Sequence, residues 1–453
     1  MIFDGAQIAA ATGGVLVHPG PMGSILTDSR RVAPGSWFVA LTGDRFDGHD
    51  FLAFAAAAGA AGVVASRPPP EPWPLGLVIV PDTLVALQDL ARAARRLVMA
   101  PVVGITGSAG KTSTRVMVVE VLRALGHVHH TQGNLNNHIG LPMTLLATPP
   151  DANVVVLELG MNHPGEIALL ADIARPGVRL ITNVGAAHVE GCGSIEGVAR
   201  ATQELFDTAE AGDLLCVNLD DPRIAAMPRP VGTRVLTYGT GESAVIRLTH
   251  VEVDAARLQT RVRMETPLGE VRATIGVPGA HLAHNAAAAV AVAVGLGLPI
   301  ETMGPALGRF VPEGMRNRVE QLNGITLLDD AYNANPVSMG AALRTLGALA
   351  SGGRRFAVLG DMFELGESGP AAHAEVLRTA RSGAADRVLV TGILMRGAAD
   401  EVGGIEVYDD AEQVGAVLCA ELRPGDVVLV KGSRGAKMER IIDSLRRHVG
   451  GRG

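Results

Sequence analysis

Apolar and polar residues follow two different patterns along this chain. Continuous apolar runs such as "NVVVLELG", "VRLITNVG" and "DLLCVNLD" are separated by stretches with helical spacing, which predicts a mostly parallel sheet covered by helices on both faces. From about residue 244 to 279, apolar and polar residues alternate, with turn signals such as "PLGE", which predicts an antiparallel β insert. The chain is therefore predicted to be an α/β protein.

The same pattern divides the chain into three blocks. Residues 1–99 end in a Pro-rich loop, a strand "LVIV" and a helix "TLVALQDLARAARRLVM". Residues 100–313 contain the parallel strands and the antiparallel insert, and residues 314–453 return to strand–helix alternation in "ITLLDD", "RRFAVLGD", "ADRVLVTG" and "DVVLVKGS". Two Ala-rich runs, "FLAFAAAAGAAGVVAS" and "AAAAVAVAVGLGL", are predicted to be buried helices because glycines interrupt them and they are too short to span a membrane.

The composition of the chain indicates which classes of binding partner are unfavourable. A net charge of −7 and an aromatic content of only 3% argue against a nucleic-acid partner, which would favour a basic stripe and stacking residues. Cys192, Cys216 and Cys419 lie far apart in the sequence and fit a reducing compartment. The first residues lack the basic and apolar regions of a signal peptide. We therefore expect a cytoplasmic protein without membrane insertion.

The stretch "VVGITGSAGKTSTR" predicts a phosphate-binding loop. An apolar strand runs into a glycine turn, and a helix then opens on a lysine and two hydroxyls, so that several N–H groups and the helix dipole face one point. Lys111 would contact the β/γ-phosphates and Thr112 would bind Mg²⁺. The loop is shorter than the usual motif, and a chance turn beside a lysine is the alternative. The predicted nucleotide-binding residues are Thr106, Gly107, Ser108, Ala109, Gly110, Lys111, Thr112 and Ser113.

Four more polar residues follow predicted strands or open a predicted helix. Glu158 ends a strand where it could reach a metal at Thr112, or it could simply face solvent. His188 could serve the same site or be structural. Asn285 could contact adenine or cap a helix, and Asp330 could bind a ribose hydroxyl or a metal, or form a turn.

Two stretches are candidates for substrate recognition. "TDSRRVAPGSWFVALTGDRFDGHDF" places Asp28, Ser29, Arg30, Asp47, Gly48 and His49 around two apolar strands. "VLVKGSRGAKMERI" places Lys431, Ser433 and Arg434 at a helix N-terminus, which suits a carboxylate.

These stretches together resemble the Mur ligase family, the ATP-dependent amide-forming enzymes of peptidoglycan synthesis. The resemblance is carried by "TGSAGKTS", "GNLNNHIGLPMTLL", "ELGMNHPGEI", "AAHVEG", "DDAYNANPVSM", "LGDMFELGESG" and "VKGSRGAKME". It implies a three-domain architecture: a small N-terminal α/β domain (1–99) for a uridine nucleotide, a central domain (100–313) with a P-loop-type parallel sheet for ATP, and a C-terminal Rossmann-like domain (314–453) for an incoming dipeptide.

The resemblance also implies substrates and roles. The substrates would be ATP with Mg²⁺, UDP-N-acetylmuramoyl-tripeptide and D-alanyl-D-alanine, and we expect a monomer. Lys111, Glu158 and His188 would be catalytic, and Thr112, Glu158 and His188 would hold metal. Asn285, Arg318 and Asp330 would contact the nucleotide. The family's asparagine-rich motifs add Asn134, Asn136, Asn137, Asn333 and Asn335 to the substrate-binding residues.

Two positions depart from the family pattern. Leu282 replaces an asparagine next to His281, which weakens the adenine assignment. Thr202 stands where the family has a lysine carbamylated by CO₂, so the second metal site cannot rest on a carbamate here. Neither Arg200 nor Glu204 is expected to replace that lysine. A related ligase with another product, or a nucleotide-binding protein without turnover, is the alternative function.

Overall fold

The computed structural model describes residues 1–43, 45–349 and 352–449. The chain divides into two compact units that alternate along the sequence. The first comprises Met1–Gly104, Leu125–Gly160 and Glu166–Gly177, and the second comprises Ile105–Ala124, Met161–Gly165 and the chain from Val178 onward. The predicted domain boundaries do not coincide with this division and stay predictions. The last of them, residue 453, lies outside the described residues.

The front of the first unit is a small α/β layer. Its elements are β1 (Ile2–Phe3), α1 (Gly5–Thr12), β2 (Val15–His18), β3 (Gly23–Leu26), β4 (Trp37–Val39), α2 (Leu52–Ala57), β5 (Gly62–Ala65), β6 (Gly76–Ile79) and α3 (Thr83–Leu97). The strand order is β1-β3-β4-β5-β6-β2. Neighbours from β3 to β6 are parallel, and β1 and β2 add antiparallel edges.

Helix α3 forms where its spacing predicts it. The Asp82 side chain accepts hydrogen bonds from the N–H groups of Leu84 and Val85 and caps the helix, and the apolar positions three and four residues apart, such as Leu87, Leu90 and Ala94, are fully buried. The run "FLAFAAAAGAAGVVAS" was predicted as one helix, and this is wrong. It forms α2, a turn and then β5, because Gly59 adopts a φ of 78° and β-branched valines follow it.

The middle of the chain supplies elements to both units. They are β7 (Val102–Thr106), α4 (Lys111–Leu122), β8 (Val128–His130), α5 (Gly140–Leu146), β9 (Val154–Glu158), α6 (Glu166–Ala174), β10 (Val178–Ile181), α7 (Val189–Cys192), α8 (Ile195–Asp207), β11 (Leu214–Asn218), α9 (Pro222–Ala226) and β12 (Arg234–Gly239). In the first unit β8 pairs with β9 in parallel. In the second unit β10, β11 and β12 are parallel neighbours.

The predicted antiparallel insert is confirmed. Its elements and the helices that follow are β13 (Ile246–Asp254), β14 (Gln259–Thr266), β15 (Gly269–Ile275), α10 (His281–Gly295) and α11 (Ile300–Gly308). Strand β14 pairs with β13 and β15 in antiparallel register, whereas β13 joins β12 in parallel. Helix α10 is buried along most of its length, as its Ala-rich sequence predicts.

The last part of the second unit is a Rossmann-like layer. Its elements are β16 (Arg318–Leu322), β17 (Ile325–Asp330), α12 (Pro336–Ala348), β18 (Arg355–Gly360), α13 (Gly369–Thr379), β19 (Arg387–Thr391), α14 (Ile393–Val402), β20 (Glu406–Tyr408), α15 (Ala411–Glu421), β21 (Val427–Lys431) and α16 (Glu439–His448). The strand order is β16-β17-β21-β18-β19-β20, and β17 to β20 are parallel while β16 is antiparallel. Two buried clusters cover the two faces.

This topology brings the carboxyl ends of β17, β18 and β21 to one edge of the sheet, where open α/β sheets bind ligands. Asp330 ends β17 and Lys431 ends β21. No helix among the described residues is both long and apolar enough to cross a membrane.

Candidate nucleotide and ligation site

The phosphate loop depends on two glycines. Gly107 has a φ of 136°, and a Cβ there would lie 2.1 Å from the Thr182 hydroxyl, so a larger residue would displace the loop. Gly110 has a φ of 78° and immediately precedes α4. The loop therefore enters the helix with the backbone conformation that directs its N–H groups towards a bound anion.

The segment after β10 holds this loop in place. The Ser108 N–H donates to the Asn183 carbonyl at 2.9 Å. The Asn183 side chain accepts from the Ala109 N–H and donates to the Ala109 carbonyl, both at 2.9 Å. The Ser108 hydroxyl donates to the Gly185 carbonyl at 3.1 Å. Asn183 directly follows the predicted strand "VRLIT", but its role in holding this loop was not predicted from the sequence.

The predicted phosphate-binding side chains lie where the loop meets α4. Lys111 is the first residue of α4, and its ammonium donates to the Gly107 carbonyl at 2.5 Å. Thr106 ends β7 and is buried, Thr112 is buried one residue into the helix, and Ser113 is half-buried. An ammonium in this position can form charge-assisted hydrogen bonds with phosphates bound by the loop.

Asn285 lies beside the phosphate loop. A Cβ on Gly110 would lie 3.0 Å from its Oδ1 atom. Helix α10 begins at His281, with Ala280 at the capping position, so Asn285 does not cap the helix and that alternative is wrong. Leu282 is fully buried, which explains how an apolar residue is accommodated at this departure from the family motif.

Asp330 and Lys431 were assigned to different ligands, and the structure joins them. The Lys431 ammonium donates to Asp330 Oδ2 at 2.5 Å and to the Asn333 carbonyl at 3.1 Å, and the lysine side chain is only 2% exposed. Because Asp330 already neutralises the Lys431 ammonium, a dipeptide carboxylate would have to share this ammonium with Asp330. Arg318 pairs with Glu320 at 3.1 Å on the exposed start of β16.

Asn335 connects the last part of the chain to the phosphate loop. It caps α12 with Ser338, and its side-chain amide donates to the Ser108 carbonyl at 3.2 Å. The Ser433 hydroxyl donates to the Ala334 carbonyl at 3.2 Å, and exposed Arg434 pairs with Glu439 at 3.2 Å. Of these predicted residues, Asn335 is therefore the one in contact with the loop.

His188 follows β10 and adopts a φ of 57°. Its Nδ1 atom lies 2.6 Å from a carboxylate oxygen of Glu364, although the alignment falls short of a hydrogen bond. Contact with His188, followed by the charge of Lys111, lowers the pKa of Glu364. Glu364 lies in the quoted stretch "LGDMFELGESG", but no role was assigned to it from the sequence.

In the first unit, Glu158 ends β9 and is 2% exposed, so the solvent-facing alternative is wrong. Its carboxylate accepts from the Asn136 amide at 2.9 Å, and its N–H donates to the Thr131 hydroxyl at 3.0 Å. Asn137 accepts from the Gly140 N–H at 2.8 Å before α5, whereas Asn134 is exposed.

The predicted uridine-nucleotide residues also lie in the first unit. Arg30 is 86% exposed on its side chain and forms a two-point pair with Asp28, beside Ser29 in the same short helix. At Gly48 a Cβ would lie 2.7 Å from the Leu41 carbonyl, so this turn requires glycine.

Both ring nitrogens of His49 already have partners within the protein. Asp47 lies 2.6 Å from its Nδ1 atom, and its Nε2 atom accepts the Ser66 N–H at 2.9 Å. The N–H of His49, followed by Arg67 and the His49 ring, holds the pKa of Asp47 well below its usual range. His49 can contact substrate only by giving up a partner, which corrects the expectation of direct recognition.

Thr202 lies inside α8 and is fully buried. Its hydroxyl donates to the Val198 carbonyl at 2.7 Å, so the hydroxyl is committed to its own helix. Glu204 instead accepts the Gly165 N–H at 2.7 Å, which agrees with the expectation that it cannot replace residue 202. A carbamate at position 202 does not fit this chain.

Within the described residues, no cluster of three or more Asp, Glu, His or Cys side chains could hold a metal ion by itself. Mg²⁺ in nucleotide sites is commonly held by one or two protein groups together with phosphate oxygens. Thr112, next to Lys111 at the start of α4, suits that mode of binding.

Comparison with known proteins agrees with this geometry. Three family models match consecutive segments: the catalytic domain of the Mur ligase family over residues 22–95, the Mur ligase middle domain over 105–293, and the Mur ligase glutamate ligase domain over 315–434. The chain belongs to the Mur ligase family. Its parallel sheets and three matched domains therefore have the architecture that the resemblance implied.

Individual Mur ligases are similar over nearly the whole chain. The UDP-N-acetylmuramoyl-tripeptide–D-alanyl-D-alanine ligase of Escherichia coli is 36% identical over 93% of both chains, and that of Bacillus subtilis is 34% identical over 97% of both. Among solved structures, a crystal structure of MurF from Acinetobacter baumannii matches with a TM-score of 0.91, 29% identity and 99% coverage of both chains. MurF from Thermotoga maritima in complex with ADP matches with a TM-score of 0.86 and 28% identity over 95% of this chain and 99% of that one.

Proposed function

We propose that this Mur ligase joins D-alanyl-D-alanine to UDP-N-acetylmuramoyl-tripeptide and converts ATP to ADP and phosphate. The observation that carries the proposal is full-length similarity to ligases of that name at 34–36% identity. The formed phosphate loop supports it, since Lys111 and the N-terminus of α4 supply the charge compensation that phosphoryl transfer needs.

The reaction has two balanced steps. A carboxylate oxygen of the tripeptide attacks the γ-phosphorus of ATP, the bond to the β-phosphate oxygen breaks, and ADP leaves. The dipeptide amine then attacks the acyl phosphate carbonyl to give a tetrahedral intermediate, which loses a proton to solvent and expels inorganic phosphate. Most of the catalytic work would be positioning of the reactants and neutralisation of charge on phosphoryl oxygens, and Lys111 would supply that neutralising charge.

We assign the nucleotide to the second unit. The loop residues would hold the phosphates, Asn285 would face the base, and Asp330 and Arg318 would contact ribose or phosphate. Thr112 and His188 are the proposed Mg²⁺ residues of this unit, and Mg²⁺ would supply further neutralisation of phosphate charge. In the first unit, Glu158 is proposed as a metal ligand. The pairing of Asp330 with Lys431 implies that a ribose hydroxyl would share Asp330 with the lysine.

We assign the uridine nucleotide to the front of the first unit, with Arg30 as its exposed cation and Asp47 and His49 bracing the neighbouring turn. Asn134, Asn136 and Asn137 are proposed to meet the tripeptide. The residues proposed to bind the dipeptide are Asn333, Asn335, Lys431, Ser433 and Arg434. We also propose a cytoplasmic location, which the composition and the separated cysteines support, and a monomeric state.

A substrate-omission assay tests this function. Phosphate release is followed with ATP, Mg²⁺, UDP-N-acetylmuramoyl-tripeptide and D-alanyl-D-alanine, and then with each omitted in turn, while the product is identified by mass. Product that requires all components supports the proposal. Product with another amine only would favour the related-ligase alternative, and nucleotide binding without phosphate release would favour a protein without turnover.

A further inference from the structure

An acid–histidine contact connects two of the matched domains within the second unit. His188 lies in the middle domain and Glu364 in the glutamate ligase domain, and Nδ1 and Oε2 are 2.6 Å apart. The backbone adds a second contact, because the Glu190 N–H donates to the Glu364 carbonyl at 3.1 Å. Glu364 is therefore held at His188 by its main chain as well as by its side chain.

Both residues have a strained backbone. His188 has a φ of 57° and Glu364 a φ of 63°, in the left-handed region that residues other than glycine seldom adopt. Each such residue costs on the order of 1–3 kcal/mol, and such residues cluster at functional sites. A surface ion pair contributes about 0–1 kcal/mol, which does not offset that cost. The contact thus calls for an explanation other than stability.

The loop that carries Glu364 is fixed by its surroundings. The Met362 N–H donates to the Nε2 atom of buried His373 at 2.9 Å. The Phe363 N–H donates to the Ser433 hydroxyl at 3.0 Å, and the Ser433 N–H donates to the Asp361 carbonyl at 2.9 Å. Ser433, which is proposed to bind the dipeptide, is thus hydrogen-bonded to Phe363, the residue that precedes Glu364.

We propose that Glu364 is a positioning residue for ligation that fixes the orientation of His188, an inference that rests on the proposed function. The negative charge of a carboxylate 2.6 Å from Nδ1 favours a proton on that nitrogen, even without an aligned hydrogen bond, and leaves the Nε2 lone pair for the reaction site. Because the same residue belongs to the glutamate ligase domain, His188 is oriented only while that domain is docked against the middle domain.

The test compares Glu364→Ala and Glu364→Gln with Glu367→Gln, an exposed acid three residues away whose substitution removes the same charge from the same loop. Loss of a group that orients a ligand typically costs about 10–100-fold. We expect Glu364→Ala to lower kcat by that factor with little change in the KM for the tripeptide. Glu364→Gln should lose less, because its amide oxygen keeps a partial negative charge beside Nδ1, and Glu367→Gln should match the wild type.

A double-mutant cycle separates positioning from a structural role. After His188→Gln, substitution of Glu364 should have almost no further effect on kcat or on the affinity for Mg·ADP measured by calorimetry, because the group that it orients is gone. Additive effects in both measurements would overturn the proposal, as would wild-type kcat in Glu364→Ala. The affinity for Mg·ADP can be measured without tripeptide. If the His188 and Glu364 substitutions are coupled in that affinity while the wild type forms no product, the result contradicts the proposed function but supports the role of Glu364.

Discussion

At the scale of single residues, Lys111 has the most direct consequence. It begins α4 and its ammonium lies on the phosphate loop. We expect Lys111→Ala to keep the wild-type melting temperature and to lose more than tenfold of the ligation rate, at least about 1.4 kcal/mol at the barrier, because the transferred phosphoryl group loses its charge compensation. Steady-state phosphate release measures the rate, and retention of more than a tenth of it would contradict the assignment.

Thr202 leads to a prediction about CO₂. Because its hydroxyl is buried and bonded to Val198, Thr202→Val should keep ligation within about twofold and cost less than about 1.5 kcal/mol of stability, mainly through the lost hydroxyl hydrogen bond. Bicarbonate should stimulate neither protein in CO₂-depleted buffer. A several-fold gain by the wild type would mean that a lysine elsewhere in the chain forms a carbamate and that our placement of Thr202 is wrong.

From the sequence, the chemical role of a single residue could be predicted better than the residues that it contacts in the fold. The order strand, glycine turn, lysine and hydroxyl was enough to predict the turn that leads from β7 into α4, and its binding of phosphate stays a prediction. The pairing of Lys431 with Asp330 could not be predicted, because the two residues are about a hundred positions apart and meet only through the parallel pairing of β17 and β21. His188 could be proposed from its place after a strand, whereas Glu364 needed the long-range contact.

At the scale of elements, β17 and α16 share a buried acid. Asp329 is fully buried in β17, 3.2 Å from Arg446 of α16, and burial raises its pKa to about 6. An unfolded aspartate titrates near 3.9, so between about pH 4 and 6 the folded state binds more protons. The contribution of Asp329 to the free energy of unfolding therefore falls as the pH rises through that window.

Replacement of Asp329 by asparagine should remove this part of the pH dependence. The urea midpoint of Asp329→Asn relative to wild type should shift upward between pH 4.5 and 6.5, while exposed Asp400→Asn should parallel the wild type at both values. If the urea midpoint of Asp329→Asn changes with pH as much as that of the wild type, Asp329 has the same pKa in the folded and unfolded states and this prediction is wrong.

Elements were predictable where one periodicity dominated. The buried strands of the Rossmann-like layer and helix α3 were found within a few residues, because apolar runs and helical stripes are strong local signals. The run from residue 51 to 66 failed because alanine and valine are apolar in either element. Only the turn at Gly59 and the pairing of β5 between β4 and β6 decide where the helix stops.

At the scale of the whole molecule, the assignments divide the substrates between the units. Arg30→Ala should weaken binding of UDP-N-acetylmuramoyl-tripeptide about tenfold or more, since charge-assisted hydrogen bonds to phosphate are lost, and should leave the affinity for Mg·ATP unchanged. Calorimetric titration of each ligand measures this, with exposed Arg96→Ala on α3 as the control. Equal weakening of both ligands would contradict the division.

In the proposed reaction the two substrates are joined through an acyl phosphate, and the fate of a carboxylate oxygen shows whether this intermediate forms. Tripeptide labelled with ¹⁸O in its reacting carboxylate is turned over with ATP, Mg²⁺ and D-alanyl-D-alanine, and the phosphate is analysed by mass spectrometry. We expect one ¹⁸O atom in each phosphate released together with the amide product. Product formed with unlabelled phosphate would contradict it.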